Sequence, residues 1–155
     1  MKSSGVVQIP QEVEGKVSIV ASLFNKEYVD ALIDSATKVL GNHNVTVERV
    51  PGSFEIPLAV KKVIKKQSPA VVIAFGLIWE GKTVHAELVA NSVTNELMRL
   101  SVDFEIPILH QVLLVKDEEQ AMERCFGNDL NRGREAAEAA KYLLESVLDK
   151  HSKGL

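Results

Sequence analysis

The chain has 155 residues, 46% of them hydrophobic and 25% charged, with a formal charge of −3. That is enough for one domain with a real core, and the mild negative charge gives no electrostatic reason to expect nucleic acid or an anionic membrane as a partner. One cysteine, Cys125, excludes an internal disulfide and fits a reducing compartment. No apolar run reaches membrane-spanning length and no secretory signal is evident, so the cytoplasm is the expected location.

Residues 1–15 carry Ser3, Ser4, Gly5, Pro10 and Gly15 and read as an N-terminal arm, with Val6, Val7 and Ile9 as a short edge strand that orders against a partner. Residues 16–155 read as a single domain. Lys16–Ser22 is apolar and β-branched, a buried strand. Asn25 is placed to cap a helix running to Leu40, and Gly41 stops it. Val45–Val50 alternates as a second strand. Pro51-Gly52-Ser53 turns the chain into a helix from Phe54 to Lys66, with Pro57 tolerated in its first turn.

Ala70–Ile78 is the third strand. The turn Glu80-Gly81-Lys82 leads into a helix from Thr83 to Val102, with Leu88, Val89, Val93, Leu97 and Leu100 on one stripe. Pro107 opens a fourth strand, Ile108–Val115. Asp117 caps a short helix ending near Arg124, residues 125–131 form a loop, and Arg132–Lys150 is the closing helix. Alternating strands and helices predict an α/β fold, a parallel sheet with helices on both faces. Ligands of such sheets collect beyond the carboxyl ends of the strands. Leu23-Phe24-Asn25, Pro51–Glu55 and Trp79–His85 all fall there.

The sharpest stretch is GLIWEGKTVHAEL, residues 76–88. Strand, glycine turn and helix start in succession present free backbone N–H groups and a positive dipole end to an anion. Thr83 is a candidate cap, Lys82 adds a full charge, and His85 sits one turn inside. Histidines titrate near neutrality and both give and take protons. A histidine heading an apolar stripe is also a common core residue. Phe24, between a strand and a cap, is placed to meet a planar ligand or to fill the interior.

Glu55 either favours the helix dipole or accepts ligand hydroxyls. Arg124 is either a helix C-terminal charge or a bidentate phosphate ligand. His110 inside an apolar strand and Trp79 in the turn are unusual enough to suggest ligand or subunit contacts. Lys61, Lys62, Lys65 and Lys66 read as a solvated helix face, and His43 and His151 suggest nothing. No Walker loop, dinucleotide fingerprint or zinc-ligand spacing is present.

Five segments, IVASLFN (19–25), VPGSFEIP (50–57), GLIWEGKTVH (76–85), EEQAMER (118–124) and NRGREAA (131–137), resemble the lumazine synthase family in order and spacing, across residues 16–149. The resemblance implies a flavodoxin-like three-layer sandwich with a four-stranded parallel sheet. It also implies pentamers, in some members decamers or sixty-subunit shells, with active sites between subunits. The implied reaction condenses 5-amino-6-(ribitylamino)uracil with 3,4-dihydroxy-2-butanone 4-phosphate to 6,7-dimethyl-8-ribityllumazine in riboflavin biosynthesis, without a cofactor.

Carried over by position, Phe24 stacks on the pyrimidine, and Ser53, Phe54 and Glu55 hold the uracil and ribityl chain. Leu77, Ile78 and Trp79 line the pocket, while Lys82 and Thr83 take the phosphate with Arg124 of a neighbouring subunit. His85 transfers protons. The chain departs from the family pattern at His110 (usually Phe, against the pyrimidine), Trp79 (a smaller aliphatic), Glu80 (Arg or Lys), Leu23 (Arg) and Cys125-Phe126 (Ala-Gly). These positions imply altered pocket packing. Two other readings stand beside the enzyme: a non-catalytic lumazine- or flavin-binding or shell-forming homologue, and an unrelated phosphate-binding flavodoxin-like module.

Overall fold

Strands and helices alternate in the computed structural model, which describes residues 15–152. The proposed arm strand at Val6–Ile9 lies outside the described residues. The strands are β1 (Val17–Ser22), β2 (Val45–Val50), β3 (Val71–Trp79) and β4 (Ile108–Val115). The helices are α1 (Lys26–Leu40), α2 (Ile56–Gln67), α3 (His85–Phe104), α4 (Glu118–Phe126) and α5 (Arg132–Ser152). The sheet order is β2-β1-β3-β4 and every pairing is parallel, with Val17 opposite both Val45 and Val71, and Val72 opposite Ile108. This is the expected four-stranded flavodoxin-like α/β arrangement.

The two central strands, β1 and β3, are buried on both faces almost throughout, which is why they read as continuous apolar runs. Side chains alternate across the sheet, so residue parity sorts the core into two layers. Val17, Ile19, Ala21, Val71, Ile73 and Phe75 pack under α1, α4 and α5. Val20, Val72 and Ala74 pack under α2 and α3. β2 is an edge strand, and the successive residues Val47 and Glu48, which point to opposite faces, are both exposed.

Several element ends differ from the sequence reading, each for a local reason. Ser53–Glu55 form a 3₁₀ turn ahead of α2, closed by a hydrogen bond from Gly52 N–H to Glu55 Oε1 at 2.8 Å. α3 starts at His85, not Thr83, so the histidine is its first residue and fully in the end turn. Leu88 faces outward at 59% exposure and Ala86 takes the buried place expected for it. Asp117 does cap α4, accepting from Gln120 N–H at 2.9 Å, but the helix runs on through Cys125 and Phe126. Cys125 continues the buried stripe begun at Ala121, and that packing carries the helix past Arg124.

Candidate active site at the carboxyl ends of β1 and β3

The strand order reverses at β1 and β3. From β1 the chain moves outward to β2, then crosses back to β3 on the other side. The loops leaving the two central strands therefore part company and open a crevice between them. A cleft of about 290 Å³ lies there. Phe24 and Asn25 line it after β1, Gly52, Ser53 and Phe54 after β2, Leu77, Ile78 and Trp79 at the end of β3, and His85, Ala86 and Val89 from α3. Of the site residues predicted from sequence, Phe24, Ser53, Phe54, Leu77, Ile78, Trp79 and His85 are thus brought to one cavity.

The walls are set by short backbone ties. Leu23 N–H donates to Val50 O at 2.7 Å and Phe24 N–H to Pro51 O at 2.9 Å, fastening the loop after β1 to the turn after β2. The Phe24 and Phe54 rings remain 70% and 63% exposed, large apolar faces that burial against a planar ligand would stabilise. Ser53 is buried because the 3₁₀ turn lies directly on β3. A Cβ at Gly76 would stand 2.6 Å from Ser53 Oγ, so only glycine admits that approach.

Asn25 stands at the N-cap of α1, where its carbonyl accepts Val29 N–H at 3.1 Å, but its side chain does not cap the helix. It adopts φ 60, ψ 44. Its Nδ2 donates to Leu77 O at 2.6 Å and its Oδ1 accepts the Trp79 indole N–H at 2.9 Å. Trp79 ends β3 and is not in the turn, with its ring edge-on to Tyr28 at 5.6 Å. Sequence reasoning missed Asn25 as a site residue. Its partners lie more than fifty positions away, and only its tolerance of left-handed backbone was visible locally.

At the head of α3, Thr83 Oγ1 accepts His85 N–H at 3.3 Å. The first intrahelical bond is Leu88 N–H to Val84 O, so the Ala86 and Glu87 N–H groups precede the ladder and remain unmatched by the helix. Lys82 and Thr83 are exposed beside this end and outside the cleft lining. Glu55 is exposed, with Oε1 engaged by Gly52, and also lies off the lining.

His110 and Arg124 are not brought to this cleft within one chain. His110 lies on β4 with Nε2 2.7 Å from Thr94 Oγ1 and Nδ1 accepting Val112 N–H at 3.1 Å, and burial holds its pKa below the ordinary value. Arg124 stands on α4, where its Nη1 is buried without a hydrogen-bond partner among the described residues. Among the described residues no three His, Cys, Asp or Glu side chains are grouped as a metal would need, and no helix is long and apolar enough to cross a membrane.

The sequence model of the family described as 6,7-dimethyl-8-ribityllumazine synthase matches residues 14–147. The chain belongs to the lumazine synthase family. That membership connects it to riboflavin biosynthesis and to a family of transferases. The match spans all four strands and the cleft, and so covers every motif on which the resemblance rested.

Three solved structures match this lumazine synthase family member at low identity. Drosophila Piwi matches at 12% identity and a TM-score of 0.47, over 84% of this chain, which spans 16% of the Piwi chain. A de novo designed Rossmann fold protein matches at 15% and 0.41, over 68% of this chain and 90% of the design. A sigma-54 interaction domain protein from Enterococcus faecalis matches at 13% and 0.36, over 90% and 97% of the two chains. At these values the likenesses carry no functional argument.

Proposed function

We propose that the chain condenses 5-amino-6-(ribitylamino)uracil with 3,4-dihydroxy-2-butanone 4-phosphate, giving 6,7-dimethyl-8-ribityllumazine, phosphate and water. The observation that carries this is the meeting of two exposed aromatic rings, Phe24 and Phe54, with His85 at the head of α3 in one cleft at the β1/β3 reversal. Family membership over residues 14–147 supports it.

In this reading the aromatic walls hold the pyrimidine, and Ser53, Phe54 and Glu55 hold its ribityl chain. The unmatched N–H groups at the start of α3, with Lys82 and Thr83, receive the phosphate. Attack of the amine on the ketone, loss of phosphate and ring closure each move protons. His85, placed between the pyrimidine walls and the phosphate end, gives and takes them. Holding the two substrates together supplies the larger part of the rate, since pre-arranged reactants can gain roughly 7–11 kcal/mol.

A neighbouring copy completes the site. His110 and Arg124 do not line this chain's own cleft, and the family resemblance brings Arg124 to a phosphate bound in a neighbouring subunit's site. As the family resemblance implies, the assembly is a homo-oligomer built on pentamers. We place it in the cytoplasm, where the buried free thiol of Cys125 stays reduced.

The experiment is a spectroscopic assay with both substrates, following the absorbance and fluorescence of the lumazine. Product that requires the protein and slows in His85→Ala supports the reading. Tight binding of the pyrimidine with no product overturns it in favour of a binding or shell-forming homologue.

A further inference from the structure

We propose that Asn25 is a positioning residue of the cleft: its hydrogen bond from Trp79 sets where the Phe24 ring stands for a planar, ribityl-bearing ligand. The inference rests on the proposed function for the nature of that ligand.

Asn25 is in the left-handed region at φ 60, and it uses neither side-chain group to cap the helix it precedes. Both groups instead cross the strand reversal, Nδ2 to Leu77 O at 2.6 Å and Oδ1 from Trp79 Nε1 at 2.9 Å. An indole N–H only donates and a carbonyl only accepts, so a single orientation of the amide satisfies both. Trp79 is itself held from the far side by the edge-on contact with Tyr28 of α1. The position of the amide is therefore fixed by β3 and α1 together.

Phe24 is the residue next to it. On its other side the Phe24 backbone is tied to the turn after β2, through its N–H to Pro51 O at 2.9 Å, and Ser22 Oγ donates to its carbonyl at 3.4 Å. The main chain under the ring is thus gripped from both flanks while the ring stays 70% exposed. A rigid support beneath an exposed aromatic face lowers the ordering cost of binding. Removing the Asn25 side chain frees one flank.

The test is a double-mutant cycle on the full chain with Asn25→Gly, Trp79→Phe and both together. Glycine keeps the left-handed backbone without strain, and phenylalanine keeps a ring against Tyr28 without the N–H. Trp79→Phe is expected to raise KM for the ribitylaminouracil about fivefold, the weight of one neutral hydrogen bond, and Asn25→Gly, which also loses the bond to Leu77 O, by at least as much. The change in kcat is smaller, and KM for the butanone phosphate moves less than twofold. The double variant is no worse than Asn25→Gly alone, because both changes break one connection. In Asn25→Gly the Trp79 emission shifts to longer wavelength as its N–H turns to water.

Unchanged KM in both singles, or a double loss equal to the product of the singles, overturns the proposal. If the wild type makes no lumazine the proposed reaction fails, and the same four proteins are scored by their dissociation constants for riboflavin, read from the flavin's own emission. The same non-additive pattern then supports the positioning role. A wild type that binds no riboflavin, or an Asn25→Gly protein that binds it as the wild type does, overturns it.

Discussion

The ring of His110 folds back on its own strand, Nδ1 accepting the N–H of Val112 at 3.1 Å. Accepting that bond requires Nδ1 to be bare, so the neutral ring carries its proton on Nε2 and donates to Thr94 Oγ1 at 2.7 Å. β4 is an edge strand, and this contact satisfies one of its outward amides.

Stability therefore depends on pH through His110. Burial lowers its folded pKa, so in acid the unfolded chain takes up the proton first. This contribution is complete above the unfolded value of about 6.5 and is lost as pH falls from there toward the folded value. The urea midpoint is expected to drop between pH 7 and pH 5, and the drop should shrink in His110→Phe. An unchanged pH difference in that variant would refute the assignment.

Gly76 is fixed by the contact above it. A methyl group there meets Ser53 Oγ at 2.6 Å, with Val112 Cγ1 and Ile56 Cδ1 at 3.2 and 3.3 Å. Gly76→Ala should lower stability by about 1–3 kcal/mol as the 3₁₀ turn is pushed off the sheet. It should also weaken ligand binding, since Ser53 and Phe54 ride on that turn. Chemical denaturation and the KM of the aminouracil measure the two effects.

Gly133 makes a contrast with helix propensity. It stands in the first turn of α5, where helix propensity by itself would favour alanine. Yet its Cβ would strike the backbone carbonyl of Leu32 in α1. Gly133→Ala should destabilise the protein by denaturant unfolding. A stabilised variant would mean the two helices can separate freely.

His85 and Arg124 should divide the work. His85→Ala is expected to lower kcat about 10²-fold while sparing KM, the loss of one general acid–base group. Arg124→Ala should raise KM for the phosphorylated substrate about tenfold, the loss of a charged hydrogen bond. Steady-state kinetics with each substrate varied in turn decides it, and equal total loss in both variants would contradict the division.

Cys125 is 1% exposed, and burial pushes its thiol up to about 12, against a smaller lowering by Arg124. Both facts make it a poor nucleophile. Iodoacetamide at pH 8 should leave the native protein unlabelled over the time in which the urea-unfolded chain reacts fully, as mass spectrometry would show.

Much of this molecule was legible from local pattern. The apolar runs at β1 and β3, the spacing of Val29, Leu32, Ala36 and Leu40, the Asp117 cap and the stop at Gly41 all report on a few neighbouring residues. Backbone geometry and side-chain period are short-range properties, so sequence by itself determined the element types, the parallel α/β fold and the three loops that converge. The family followed from motifs that are contiguous in the chain.

Tertiary structure decided what depends on distant partners. Asn25 looked like a cap because a cap is its commonest local use. Its amide instead goes to Leu77 and Trp79, whose nearness exists only once β1 and β3 pair. α4 continued to Phe126 because Cys125 found a place in the core. Gly76 and Gly133 acquired their meaning from Ser53 and Leu32 pressing on them across the fold. Contacts formed by folding are set by the whole chain's packing, and no window of sequence contains both sides of them.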